Sequence, residues 1–130
     1  MKTWVYIDQF KGQAVPASWE ALGLAKTFGS VTALVFGSGV DGLARMAFEF
    51  GADEVLLADD PALADYRGEV YASTLSALAS ASGPDLILLP TSTRTREMAA
   101  MAAVDLQSGV ITDGVALEAD GDKPVVTRPI

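Results

Sequence analysis

Neither cysteine nor histidine occurs anywhere in the chain. Without Cys there is no disulfide, thiol nucleophile or cysteinyl iron–sulfur cluster. Without either residue zinc loses its usual ligands, and catalysis loses the imidazole base. Acid–base chemistry would fall to carboxylates, Tyr or Lys, and no catalytic residue and no metal site is expected. Cations are scarce too: nine Lys and Arg stand against seventeen Asp and Glu, a net charge of -8. Such a surface repels phosphate backbones and anionic headgroups, which argues against nucleic-acid and membrane partners. No apolar run nears the ~20 residues of a membrane span. Met1-Lys2-Thr3-Trp4 leads into a strand-like segment without an apolar signal region, so a cytoplasmic location is expected.

What is present is a globular composition: 130 residues, half of them hydrophobic and a fifth charged. One domain covering 1–130 accommodates them. Extended and helical patterns alternate. Trp4 to Ile7 reads as a strand, Asp8 to Gly12 as a polar turn, and Pro16-Ala17-Ser18 as a proline and N-cap opening a helix that ends near Gly29. Val31 to Phe36 is a continuous apolar run, as in strands buried on both faces of a parallel sheet. Leu43, Met46, Ala47 and Phe50 mark the inner face of a second helix closed by Gly51. Glu54 to Ala58 and Asp85 to Leu89 are further strands. Helices striped by Tyr71, Leu75 and Leu78, and by Met98, Met101, Ala102 and Leu106, follow them in turn. Beyond Gly109 the pattern becomes a hairpin, with strands at Val115 to Leu117 and Val125 to Thr127. The expected fold is α/β: a three-layer, mostly parallel sheet with helices on both faces and an antiparallel C-terminal hairpin.

Gly37-Ser38-Gly39-Val40-Asp41-Gly42 is a literal GxGxxG between a strand and a helix, with Asp59 and Asp60 near the end of the next strand. That is the dinucleotide-binding fingerprint. It follows the second strand rather than the first, however. Asp41 also sits where a pyrophosphate would lie, so the competing reading is a tight turn capped by its own Asp41. Asp59 and Asp60, with Asp8, could form an oxygen site for magnesium; the plainer reading has Asp59 capping the turn before Pro61 and Asp60 solvated. A phospho-acceptor receiver would need a Lys near the end of a late strand, and Lys123 lies in a turn. Thr91 to Glu97 puts hydroxyls, Arg94 and Arg96 at a helix start, which suits either a phosphate site or an ordinary N-cap cluster. Trp4, Tyr6, Trp19 and Phe28 read as core or rim packing.

Taken together, the stretches VTALVFGSGVDGLARMAFEFGADEVLLADD (31–60), GPDLILL (83–89), GVITD (109–113) and VVTRP (125–129) resemble the N-terminal domain of the electron transfer flavoprotein alpha subunit. The resemblance spans nearly the whole chain. It implies a fold similar to adenine-nucleotide-binding modules, a beta-subunit partner, and FAD carried by the complete heterodimer. Electrons would come from flavoprotein dehydrogenases. It implies also that most FAD contacts lie in a separate C-terminal domain, and that the glycine turn binds no dinucleotide. The helix starting near Ser92 departs from the family pattern: Thr95, Ala100, Met101 and Asp105 replace a Gly, a Pro and two Arg, while Arg96 and the acid Glu97 remain.

The leading expectation is therefore a scaffold and partner-binding domain without its own cofactor. The alternative is a free-standing adenine-nucleotide module built on Asp8, Gly37, Gly39, Ser92, Thr93 and Arg96, and a Rossmann-type oxidoreductase fragment is a third. Self-association through an exposed apolar edge is a further expectation.

Overall fold

In the computed structural model, residues 3–84, 86–90, 92–106, 109–111 and 116–118 are described. The elements are β1 (Thr3–Tyr6), β2 (Gln9–Phe10), β3 (Gln13–Ala14), α1 (Pro16–Ala25), β4 (Val31–Gly37), α2 (Asp41–Glu49), β5 (Glu54–Asp59), α3 (Gly68–Ser82), β6 (Leu86–Leu88), α4 (Thr93–Leu106), β7 (Gly109–Ile111) and β8 (Ala116–Glu118). The main sheet runs β5-β4-β1-β6-β8-β7. β5, β4, β1 and β6 are parallel, β8 is antiparallel to β6, and β7 is antiparallel to β8. The expected parallel core and antiparallel ending are both there. The ending pairs 109–111 with 116–118, and the second expected hairpin strand, Val125 to Thr127, lies outside the described residues.

Strand alternation splits the core into two layers. Trp4, Tyr6, Leu34, Phe36, Ile87 and Leu89 face α3 and α4, where Tyr71, Leu75, Met98 and Ala102 meet them. Val5, Ile7, Ala33, Val35, Leu86 and Leu88 face α1 and α2, against Leu22, Ala25, Leu43 and Ala47. Burial on both faces explains why β1, β4 and β6 read as unbroken apolar runs. Leaving β1 the chain winds one way through β4 and β5, then crosses to β6 on the other side of β1. The winding direction therefore reverses between β1 and β6. In open α/β sheets the ligand crevice opens at the carboxyl ends of such a strand pair.

Several local expectations change. The polar turn after β1 is a small hairpin, β2–β3, closed by Lys11 at φ 51° and Gly12 at φ 84°. Two consecutive left-handed residues define the type I′ turn that matches the twist of paired strands. α1 begins at Pro16 after Val15, so Ser18 lies inside the helix rather than capping it. It is buried, and its hydroxyl accepts from the Asp8 amide at 2.9 Å and donates to the Asp8 carbonyl at 3.1 Å. In α2, Leu43 and Ala47 are buried but Met46 and Phe50 are exposed. Phe50 instead stacks flat on Trp19 of α1, with ring centroids 4.4 Å apart. The Phe28 side chain and those of α4 beyond Ala102, Asp105 and Leu106 included, lie outside the described part.

Candidate functional site

The crevice between β1 and β6 is bridged by the chain itself. Asp8, the second residue past β1, is buried to 2% side-chain exposure. Arg94, in the first turn of α4, reaches it with two nitrogens: Nε donates to Oδ1 at 3.3 Å and Nη2 to Oδ2 at 3.2 Å. A forked guanidinium on a carboxylate is the arrangement that best offsets the cost of burying a charge. The β2–β3 hairpin lies over this pair, with the Phe10 ring 6.0 Å from the Arg94 guanidinium carbon. Beside it is a cleft of about 120 Å³ lined by Gln9, Phe10, Lys11, Asp65, Tyr66, Tyr71 and Arg94 among others. Pockets for nucleotide-sized ligands start at roughly 300 Å³, so the cleft suits only a much smaller molecule.

The tyrosines at this end are all driven toward the neutral phenol. Burial, then the Asp8 charge, pushes Tyr6 well above its ordinary pKa. Burial, then a hydrogen bond to Glu97 at 2.7 Å, does the same for Tyr66. For Tyr71 the causes are burial followed by Asp65, and its hydroxyl donates to the Leu63 carbonyl at 2.6 Å. The Tyr66 and Tyr71 phenols act as structural donors, and neutral phenols are poor bases.

The glycine loop is closed from within. Asp59 Oδ1 accepts from the Gly39 amide at 2.9 Å, and Oδ2 from the Val40 amide at 3.3 Å. These are the amides a phosphate would need. The capping carboxylate expected of Asp41 is thus supplied by Asp59, from the end of the neighbouring strand. Asp41 is exposed and lies 3.7 Å from Arg45. Asp60, not Asp59, caps the turn at Pro61, accepting from the Ala62 amide at 2.8 Å. Gly37 has no room for a ligand either. A β-carbon there would lie 2.8 Å from Val40 Cγ1 and 2.9 Å from Gln9 Nε2, and that Gln9 amide donates to the Phe36 carbonyl at 3.0 Å. Gly39, at φ 68°, serves the turn's backbone conformation.

At the start of α4, Ser92 and Thr95 cap reciprocally. The Thr95 amide donates to Ser92 Oγ at 3.2 Å, and the Ser92 amide to Thr95 Oγ1 at 2.9 Å. This is a capping box with Thr in place of the usual Glu or Gln. Buried Thr95 also bonds the Pro90 carbonyl. The departure at Thr95 therefore has a structural use, whereas Ala100 is exposed and Met101 half-buried. Of the residues expected to meet at a nucleotide, Asp8 and the Ser92 turn lie at the crevice. Gly37 ends β4 and Gly39 lies in the separate loop after it, and Thr93 and Arg96 are exposed. Arg94 is the cation that reaches Asp8. Among the described residues no cluster of three acidic side chains could hold a metal ion, so Asp8, Asp59 and Asp60 do not form the magnesium site considered above. No helix among the described residues is long and apolar enough to cross a membrane.

The winding defines a doubly wound α/β domain, one whose nucleotide-binding positions are engaged by its own side chains. Residues 3–130 match the family model described as electron transfer flavoprotein domain, and the chain belongs to that family. It is 34% identical over 129 residues to the electron transfer flavoprotein subunit alpha of Syntrophomonas wolfei, covering 98% of this chain and 41% of that protein. It is 35% identical over 136 residues to protein FixB of Rhizobium meliloti, covering 97% and 38%. It is 28% identical over 122 residues to the subunit alpha of Bacillus subtilis, covering 92% and 38%. The chain thus spans about two-fifths of the length of these curated relatives.

Proposed function

We propose that this domain is the scaffold and partner-binding part of an electron transfer flavoprotein alpha subunit. With a beta subunit it forms the carrier that moves electrons from flavoprotein dehydrogenases through FAD. Support comes from the family match across residues 3–130 and from relatives named as subunit alpha. The observation that carries the scaffold reading is the self-satisfied crevice. A dianionic pyrophosphate would have to displace Asp8 from Arg94, or Asp59 from the amides of Gly39 and Val40. The residues present therefore do not fit FAD, and no electron-transfer step is assigned to them.

The test is an absorbance spectrum of the purified chain after incubation with FAD and desalting. A colourless protein is expected, together with co-purification of a co-expressed beta subunit. A flavin band near stoichiometric occupancy on the chain alone would overturn the scaffold reading.

A further inference from the structure

Beside the Asp8–Arg94 pair, past the carboxyl ends of β1 and β6, the cleft of about 120 Å³ stays open. Phe10, Tyr66 and Tyr71 line it together with Lys11, Asp65 and Arg94. An apolar recess with a few convergent polar groups, set where open α/β sheets take their ligands, is the usual form of a small-molecule site. The charges around this one are uncommitted. Among the described residues the Lys11 ammonium has no carboxylate partner and lies 5.4 Å from the Phe10 ring centroid. The Asp65 carboxylate has neither a cation nor a hydrogen-bond donor among them. Arg94 uses Nε and Nη2 on Asp8, and its Nη1 makes no hydrogen bond among the described residues. Burial first, and the Asp65 charge second, raise the Tyr71 phenol, so that carboxylate is within electrostatic reach of the cleft wall.

Size and charge select the ligand. An enclosed apolar cavity of ~150 Å³ takes benzene, so this cleft takes a side chain of a few carbons with its polar end at the mouth. A simple anion would meet Asp65 and a chain of net charge -8. A simple cation would meet Lys11 and Arg94, both already beside the Phe10 ring. A molecule that carries both charges and is neutral overall escapes both penalties. The geometry points to a binding site for a free α-amino acid with a small aliphatic side chain. That side chain lies on the aromatic wall, the carboxylate turns to Lys11 and Arg94, and the ammonium turns to Asp65. The site leaves the Asp8–Arg94 bonds and the glycine-loop amides in place, so it stands or falls apart from the flavin reading.

The probe is L-valine, titrated near neutral pH into the full ¹⁵N-labelled chain. N-acetyl-L-valine, an anion, and L-valinamide, a cation, are its counterparts. Saturable shifts are expected in the amides of 9–12, 64–67 and 94–95, with a dissociation constant of about 1–10 mM, the weak end of specific recognition. Both counterparts should bind about fivefold more weakly, the upper worth of an exposed ion pair. Lys11 and Asp65 are exposed, so Lys11→Gln and Asp65→Asn should fold as the parent does. Asp65→Asn should erase the preference for L-valine over N-acetyl-L-valine, and Lys11→Gln should narrow the preference over L-valinamide. No saturable shift up to about 50 mM, equal binding of either counterpart, shifts confined to other parts of the chain, or an Asp65→Asn variant that keeps the full preference would each overturn the inference.

Discussion

Asp59, at the end of β5, holds the Gly39 amide at 2.9 Å across twenty residues of sequence. One carboxylate therefore closes the loop that leads into α2, and it occupies the position an anionic ligand would claim. Asp59→Ala should destabilise the fold by about 1 kcal/mol, the usual net worth of an intramolecular hydrogen bond. Asp59→Asn should recover most of that loss, since it retains an acceptor. Urea midpoints give both values. Millimolar NAD should produce no saturable heat in calorimetry with the parent, and none with Asp59→Ala, because Gln9 and Val40 still crowd Gly37. Saturable binding in either would show the loop to be a working site.

The Asp8–Arg94 pair makes the opposite prediction about removing a partner. Asp8 is almost fully buried while Arg94 is 36% exposed. Arg94→Met leaves a buried carboxylate without its cation and should cost about 2–3 kcal/mol, below the full value for a deeply buried pair because water reaches one side. Asp8→Asn combined with Arg94→Met should cost less than the sum of the two single changes. A double-mutant cycle in urea reads the difference, and strict additivity would mean the contact contributes nothing.

The parts of this structure legible in the sequence are those set by local pattern. Val31 to Phe36 reads as a doubly buried strand because every residue is apolar, and Gly83 ends α3 at φ 64°, as a C-terminal glycine should. What the sequence hides is pairing at long range. On paper Asp41 is the nearest cap for the glycine loop and Asp59 belongs to the turn before Pro61, and only the β4–β5 register, Gly37 opposite Asp59, brings Asp59 to the loop. Phe50 sits at the right helical spacing for the core, yet its nearest ring is Trp19 on another helix. Lys11-Gly12 gives little hint of a hairpin, because Lys is an unusual first residue for a type I′ turn. Arg94 and Arg96 look interchangeable in the chain, and the geometry of the α4 cap alone sends Arg94 to Asp8.

Asp53 ties the bottom of β4 to α1's exit. Its Oδ2 accepts from the Val31 amide at 2.8 Å and from Lys26 Nζ at 3.0 Å. The backbone bond first, and the Lys26 bond second, hold its carboxyl below the ordinary 3.8. A lowered folded pKa contributes stability that is present above the unfolded value and is lost as pH falls through the folded one. Parent and Asp53→Asn should therefore differ in urea midpoint at pH 6, and the gap should shrink below pH 3.8. A gap independent of pH would assign the effect to packing.

The tyrosines test the crevice from the alkaline side. The sequence has three, Tyr6, Tyr66 and Tyr71, and all three are raised above the ordinary 10.0. Burial is the first cause in each, and a neighbouring acid adds to it: the charge of Asp8 for Tyr6, a hydrogen bond to Glu97 for Tyr66, and the charge of Asp65 for Tyr71. A raised folded pKa gives stability that is complete below the unfolded value and declines as pH climbs toward the folded value, since the unfolded chain then releases protons the native one retains. Phenolate absorbance at pH 10, where free tyrosine is half ionised, should accordingly be weaker in the native protein than in the unfolded chain. It should then appear in one step, together with loss of the far-ultraviolet helical signal. Glu97→Gln keeps an acceptor for Tyr66 but removes the negative charge, so Tyr66 should titrate earlier in that variant, as a separate early fraction of the absorbance change. A parent protein whose three tyrosines titrate smoothly around pH 10 with the fold intact would mean that water reaches these rings, and the closed crevice described above would not hold in solution.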